Sequence, residues 1–299
     1  MTTMPRLARR TMAETTASAV LRQMEIDGLW VDPVAIATSK GIEVRPKPNT
    51  AAGVSGMLIK AGDEFGIMYA TNIPSRGFQR FSISHEIGHY CIEGHPEAIL
   101  WDDDGVHQSR AGFVSVDPFE QEADFFAAAL LMPEVPFKRA IENQDAGLAC
   151  VEALAKACET SLTATAIRYS ALTRDAVAVL MSSGQTIDWC FMSEGLKQAK
   201  GLAWVRKGTP VPGGTITAAF NGHPENIRAG RRDSGDGRLN DWMDGERVYA
   251  ITEEVVGLGH YARTLTVLTC KNLTMRIEEA EPDEDEEALV ESWTPRFRR

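Results

Sequence analysis

GFQRFSISHEIGHY, residues 77–90, contains the pattern on which the reading turns: His85-Glu86-Ile87-Gly88-His89, an H-E-x-x-H. The run from Phe81 to Gly94 has only Gly88 as an internal breaker, and Ser84 can cap its start, so the spacing predicts a helix there. At roughly 100° per residue, His85 and His89 project from one face a single turn apart. Two imidazoles so placed can share one Zn²⁺ at roughly 2.0–2.1 Å each. Glu86, next to the first of them, can act as general base on a water attacking a carbonyl and pass the proton to the leaving nitrogen. The plain alternative is a surface helix with two solvated histidines. Phe81, Ile83, Ile87 and Ile92 argue against it, because they bury the helix, and two imidazoles and a carboxylate are costly to bury without partners.

A catalytic zinc takes a third protein ligand and keeps one open position. His95 falls ten residues after His85, as in H-E-x-x-H-x-x-G-x-x-H, but Ile92 occupies the place of the turning glycine, so His95 reads as a loop histidine near the cleft. His107 is a weaker ligand candidate. The run EQEADFFAAALLMP, residues 120–133, opened by Pro118 and closed by Pro133, predicts a second helix. Glu122 shares a face with Phe126 and Leu130, a side expected to pack inward, which makes it the favoured third ligand. Glu120 and Asp124 read as a solvated first turn, and Asp124 can also orient a histidine ring. Tyr90, His95 and His107 remain open as the group that steadies an oxyanion.

GFQRFSISHEIGHY followed by EQEADFFAAALLMP resembles the ImmA/IrrE family of metallopeptidases, over roughly residues 12–175. The resemblance implies a zincin-like fold, zinc ligands His85, His89 and Glu122, and Glu86 as base. Asp124 stands where the family has Asn. It also implies a protein substrate, a helix-turn-helix transcriptional repressor, in stress or mobile-element regulation.

Around this centre, the expected fold class is α+β. Residues 1–147 read as a zincin-like peptidase domain, with two short helices within 12–40 and strands at Ile42–Val44, Val54–Ile59 and Gly66–Ala70. Gly66–Ala70 reads as the edge along which an extended substrate pairs, and residues 95–117 as a long loop. Residues 148–174 look like a helix-turn-helix, but the second helix offers DNA only Arg168, so a packing pair or protein-docking surface is the better reading. Residues 175–275 alternate over strand lengths (AVAVLMSS, QTIDWCF, GTITAAF, RVYAITEEVV, RTLTVLTC) and read as a β-rich sensor or docking domain, GAF-like by analogy. HPENIRAGRRDSGDGR, residues 223–238, reads as a basic Gly-rich loop.

Composition narrows the functional classes. The chain has 299 residues, 43% hydrophobic and 24% charged, an ordinary globular balance. Of the net charge of −11, nine negative charges lie in EEAEPDEDEEALVE, residues 278–291, within an acidic tail at 276–299. Such a tail gives no footprint for nucleic acid. The sequence shows no signal-peptide pattern, and its five cysteines contain no C-x-x-C pair, so a cytoplasmic protein with reduced thiols is expected. The rival to a peptidase is a non-catalytic regulator that keeps the fold and binds DNA or a protein partner.

Overall fold

A computed structural model describes residues 8–48, 53–73, 75–100, 105–110, 117–199, 202–245, 248–271 and 273. The acidic tail lies outside them. Among the described residues the chain divides into two compact units, one within 8–137 with 155–161, the other 138–154 with 162–273. The architecture is α+β. No described helix is long and apolar enough to cross a membrane, and all five cysteines are free thiols.

The first unit begins with α1 (Arg10–Gln23) and α2 (Pro33–Ser39), the latter capped by Asp32, which accepts from Val34 N. A four-stranded sheet follows: β1 (Glu43–Lys47), β2 (Val54–Ala61), β3 (Glu64–Ala70) and, later in the chain, β4 (Val106–Arg110), in the order β1-β3-β2-β4. β1 runs parallel to β3, whereas β2 is antiparallel to both β3 and β4. Gly66–Ala70 is therefore interior, hydrogen-bonded on both sides. The edges are β1 and β4, the latter inside the segment expected to be a loop. Polar His107, Gln108 and Ser109 conceal β4 from a hydropathy reading.

Helix α3 (Arg76–Cys91) is capped by Ser75, nine residues before the predicted cap Ser84, and the Ser75 side chain accepts from Phe78 N. Ser84 is interior, and its hydroxyl donates to the Arg80 carbonyl one turn back. After Ile92 turns extended, Gly94 takes φ +83°, a left-handed conformation that suits glycine, and opens the short α4 (His95–Ile99). Helix α5 (Pro118–Leu131) starts on Asp117, which accepts from Phe119 N, with Pro118 at the first helical position. A Cβ on Gly88 would meet the Phe126 ring at 3.1 Å and Ala123 Cα at 3.3 Å, so this glycine lets α3 and α5 approach closely. Ile36, Leu58, Ile67, Ile87, Ile92 and Phe126 fill the core beside them.

After α6 (Glu134–Glu142), α7 (Leu148–Cys158) and α8 (Leu162–Leu172) form the expected helix pair, broken at Thr160-Ser161. The second unit's sheet contains β5 (Val177–Ser183), β6 (Thr186–Met192), β7 (Arg232–Arg238), β8 (Ala250–Gly257) and β9 (Thr264–Cys270), all antiparallel, in the order β6-β5-β9-β8-β7. Between the strands lie α9 (Glu194–Lys197), α10 (Ile216–Asn221) and α11 (Pro224–Arg228). GTITAAF is thus a helix rather than a strand. Thr215 caps it by accepting from Ala218 N, and Ile216 and Phe220, four apart, pack with Ile227 and Val255. The basic loop at 223–238 resolves into α11 and edge strand β7. Leu180, Ile187, Trp242, Ile251 and Leu268 fill the core of this unit. Trp189 and Trp242 are buried, whereas Trp204 is half exposed.

Candidate metal centre

Helix α3 brings His85 and His89 together: their Nε2 atoms lie 3.0 Å apart. Glu120, from the first turn of α5, completes the cluster, with Oε2 at 3.4 Å from His85 Nε2 and Oε1 at 3.2 Å from His89 Nε2. One donor atom from each of the three residues falls within 4.8 Å of the others.

Glu122 is not brought to this cluster. Its carboxylate is held by Arg9, at 2.9 Å from the backbone N and 3.0 Å from Nη2, and by His95 Nε2 at 2.9 Å. The reason is helical phase. Glu120 and Asp124 are four apart and share a face, while Glu122 stands about 200° around the axis from both. Burial alone could not choose between them, because α5 is covered on both sides; Glu122 is fully buried without facing the cluster. The i, i+4 pair Glu120/Asp124 behind Pro118 was the available signal for the face turned to the histidines.

Asp124 takes the orienting role expected of it, accepting at 2.8 Å from His85 Nδ1. His95, returned by the turn at Gly94, sits behind His89 with its Nδ1 at 3.1 Å from His89 Nδ1, away from the ligand face. His107, on the edge strand, places Nε2 at 2.8 Å from Glu120 Oε1, and its ring centroid is 4.6 Å from that of His89. Tyr90 packs edge-on against Phe65 instead.

Glu86 is the unusual member. It is fully buried, and neither carboxylate oxygen has a hydrogen-bond partner among the described residues. A Cβ on Gly56 of β2 would collide with its Oε1, so that glycine makes room for the carboxylate. Burial raises the Glu86 pKa to about 7, against the pull of His85 and of the nearby Ser109 hydroxyl, which stands outside hydrogen-bonding geometry. Burial lowers that of His89 to about 3 despite its hydrogen bond with Glu120. For His85, hydrogen bonds and charge from Asp124 and Glu120 outweigh desolvation and hold the pKa well above the usual imidazole value. Glu120 is lowered: desolvation is outweighed by His107, His85 and His89.

These residues fit a divalent metal ion. Two imidazoles and a carboxylate are a suitable donor set, and nitrogens bound tetrahedrally at 2.0–2.1 Å stand about 3.3 Å apart, close to the observed 3.0 Å. The orphaned buried carboxylate of Glu86 beside them lacks the polar partner that water at an open metal position would provide.

An H-E-x-x-H helix facing a carboxylate from a second helix, beside a mixed sheet, defines a metallopeptidase-type domain. Residues 37–170 match the IrrE N-terminal-like domain family, Peptidase_M78, and this region of the chain belongs to that ImmA/IrrE family. Among solved structures, a Mycobacterium tuberculosis transcriptional regulator shares the fold, with a TM-score of 0.54 and 16% identity over 89% of this chain and 93% of that one. No curated protein matches.

Proposed function

We propose that the protein is a zinc-dependent endopeptidase that cleaves a peptide bond in a protein substrate, a helix-turn-helix transcriptional repressor, in stress or mobile-element regulation. The observation that carries this reading is Glu86, buried and unpartnered beside the His85/His89/Glu120 cluster. A binding module has no use for such a group, whose burial costs free energy.

His85, His89 and Glu120 would hold the zinc, Glu120 taking the place expected for Glu122. When bound, zinc supplies Lewis acidity to the scissile carbonyl and to water. Glu86 takes a proton from the attacking water and delivers it to the leaving nitrogen, a task suited to a carboxylate titrating near 7. Of the three residues open as the oxyanion-steadying group, His107, partly exposed on β4 with Nε2 at 2.8 Å from Glu120, is the one beside the cluster, whereas Tyr90 packs on Phe65 and His95 lies behind His89. The substrate backbone pairs along β4, the one of the two sheet edges that carries His107. The β-rich unit acts as a GAF-like sensor or docking domain. DNA binding through α7 and α8 loses its only nominated contact, because Arg168 is buried.

Elemental analysis and cleavage of co-incubated repressors, read by mass spectrometry, test this. Wild type and Glu86→Gln should each carry one zinc, with cleavage about 10²–10⁴-fold slower in the variant. His85→Ala and Glu120→Ala should lose the metal. Zinc kept in Glu120→Ala but lost in Glu122→Ala overturns the ligand assignment, and wild-type cleavage by Glu86→Gln overturns the mechanism.

A further inference from the structure

Three fully buried ionisable side chains, His89, His95 and Glu122, form a line that ends at Arg9, and the proposed chemistry uses only the first. The atoms fix the direction of the line. His89 Nε2 faces His85 and Glu120, so Nδ1 bears the hydrogen when Nε2 holds a metal. That hydrogen is donated to His95 Nδ1 at 3.1 Å, which leaves the His95 hydrogen on Nε2, donated to Glu122 Oε2 at 2.9 Å. Arg9 then grips both oxygens of Glu122, with backbone N and Nε at 2.9 and 3.2 Å from Oε1 and Nη2 at 3.0 Å from Oε2. Nη2 also reaches the Glu93 carbonyl at 3.5 Å, in the turn that delivers His95. Each contact is consistent with a single tautomer of each ring.

We propose that Glu122 is a positioning residue acting through His95, that the pair fixes the ring orientation and tautomer of His89, and that Arg9, at the start of α1, locks the carboxylate in place. The inference rests on the zinc reading above. It makes the segment before α1 part of the metal centre's support and gives the two histidines unlike backing: Asp124 directly behind His85, and a histidine relay behind His89. A purely structural role, in which Glu122 only anchors Arg9 and α1, would change stability and leave the bound metal's surroundings alone.

Zinc affinity by chelator competition and the visible spectrum of the Co²⁺-loaded full chain separate these roles. His95→Phe, which keeps a ring but breaks the relay, should weaken zinc about 10–100-fold and shift the cobalt bands. Glu122→Gln should do so less, and Arg9→Ala least. Arg9 is 43% exposed, so its variant carries the test if the buried ones fail to fold. Wild-type affinity and an unchanged cobalt spectrum in the folded variants overturn the relay while leaving the zinc site standing. A wild-type chain that binds neither ion overturns both readings.

Discussion

The two units bury polar groups in different ways. In the sheet of the second unit, Glu253 accepts from Thr217 N at 2.6 Å and Thr217 Oγ1 at 2.7 Å, and Trp242 Nε1 lies at 3.3 Å from its other oxygen. Asn221 donates to Ser182 Oγ and the Gly184 carbonyl, and its own oxygen accepts from Thr264. These groups satisfy one another, which makes the network part of the scaffold. In the first unit the buried groups are mostly ionisable and crowd one place, and Glu86 has no partner there among the described residues. Unpaired burial at a cluster of metal-ligand type marks a group kept for chemistry at a cost in stability.

That contrast can be broken by substitution. The largest effect should come from Glu253→Ala, which strands the Thr217 and Trp242 donors and should cost about 4 kcal/mol in a urea melt, with zinc uptake unchanged. A loss below about 1 kcal/mol would remove Glu253 from the scaffold. Glu86→Gln should act in the opposite direction on metal-free protein. Its folded pKa of about 7 lies above the ordinary carboxylate value of 4.5, so the folded state keeps the proton longer and stability falls as pH rises from 4.5 through 7. The amide removes that penalty, so the variant should gain up to about 3 kcal/mol at pH 8 and little at pH 4.5. An equal difference at both pH values would show that Glu86 is not held neutral by burial. The smallest effect belongs to Thr269, whose hydroxyl is also buried without a partner among the described residues but is far less costly to bury than a charge. Thr269→Val should be neutral or stabilising by about 1 kcal/mol; a clear loss would reveal a partner for this hydroxyl.

Much of the centre was legible because its geometry is local. H-E-x-x-H on a helix places His85 and His89 one turn apart whatever surrounds them, and Pro118 and Pro133 bracket the second helix. The short elements were harder to read. Ile216–Asn221 looks like a strand because six residues with Ile, Thr and Phe fit either period, and its helical state is set by the Thr215 cap and packing on Val255. Strand β4 is polar and exists through its pairing with β2.

The sequence by itself determined the pair of imidazoles, the adjacent Glu86 and the helix bearing the third carboxylate, since a fixed helical rise and rotation turn spacing into geometry. Only the tertiary structure decided which carboxylate faces them. Glu120 and Glu122 lie on opposite sides of a helix with no exposed residue, and the choice was made by the close approach at Gly88, the turn at Gly94 and the grip of Arg9, contacts between residues far apart in the chain.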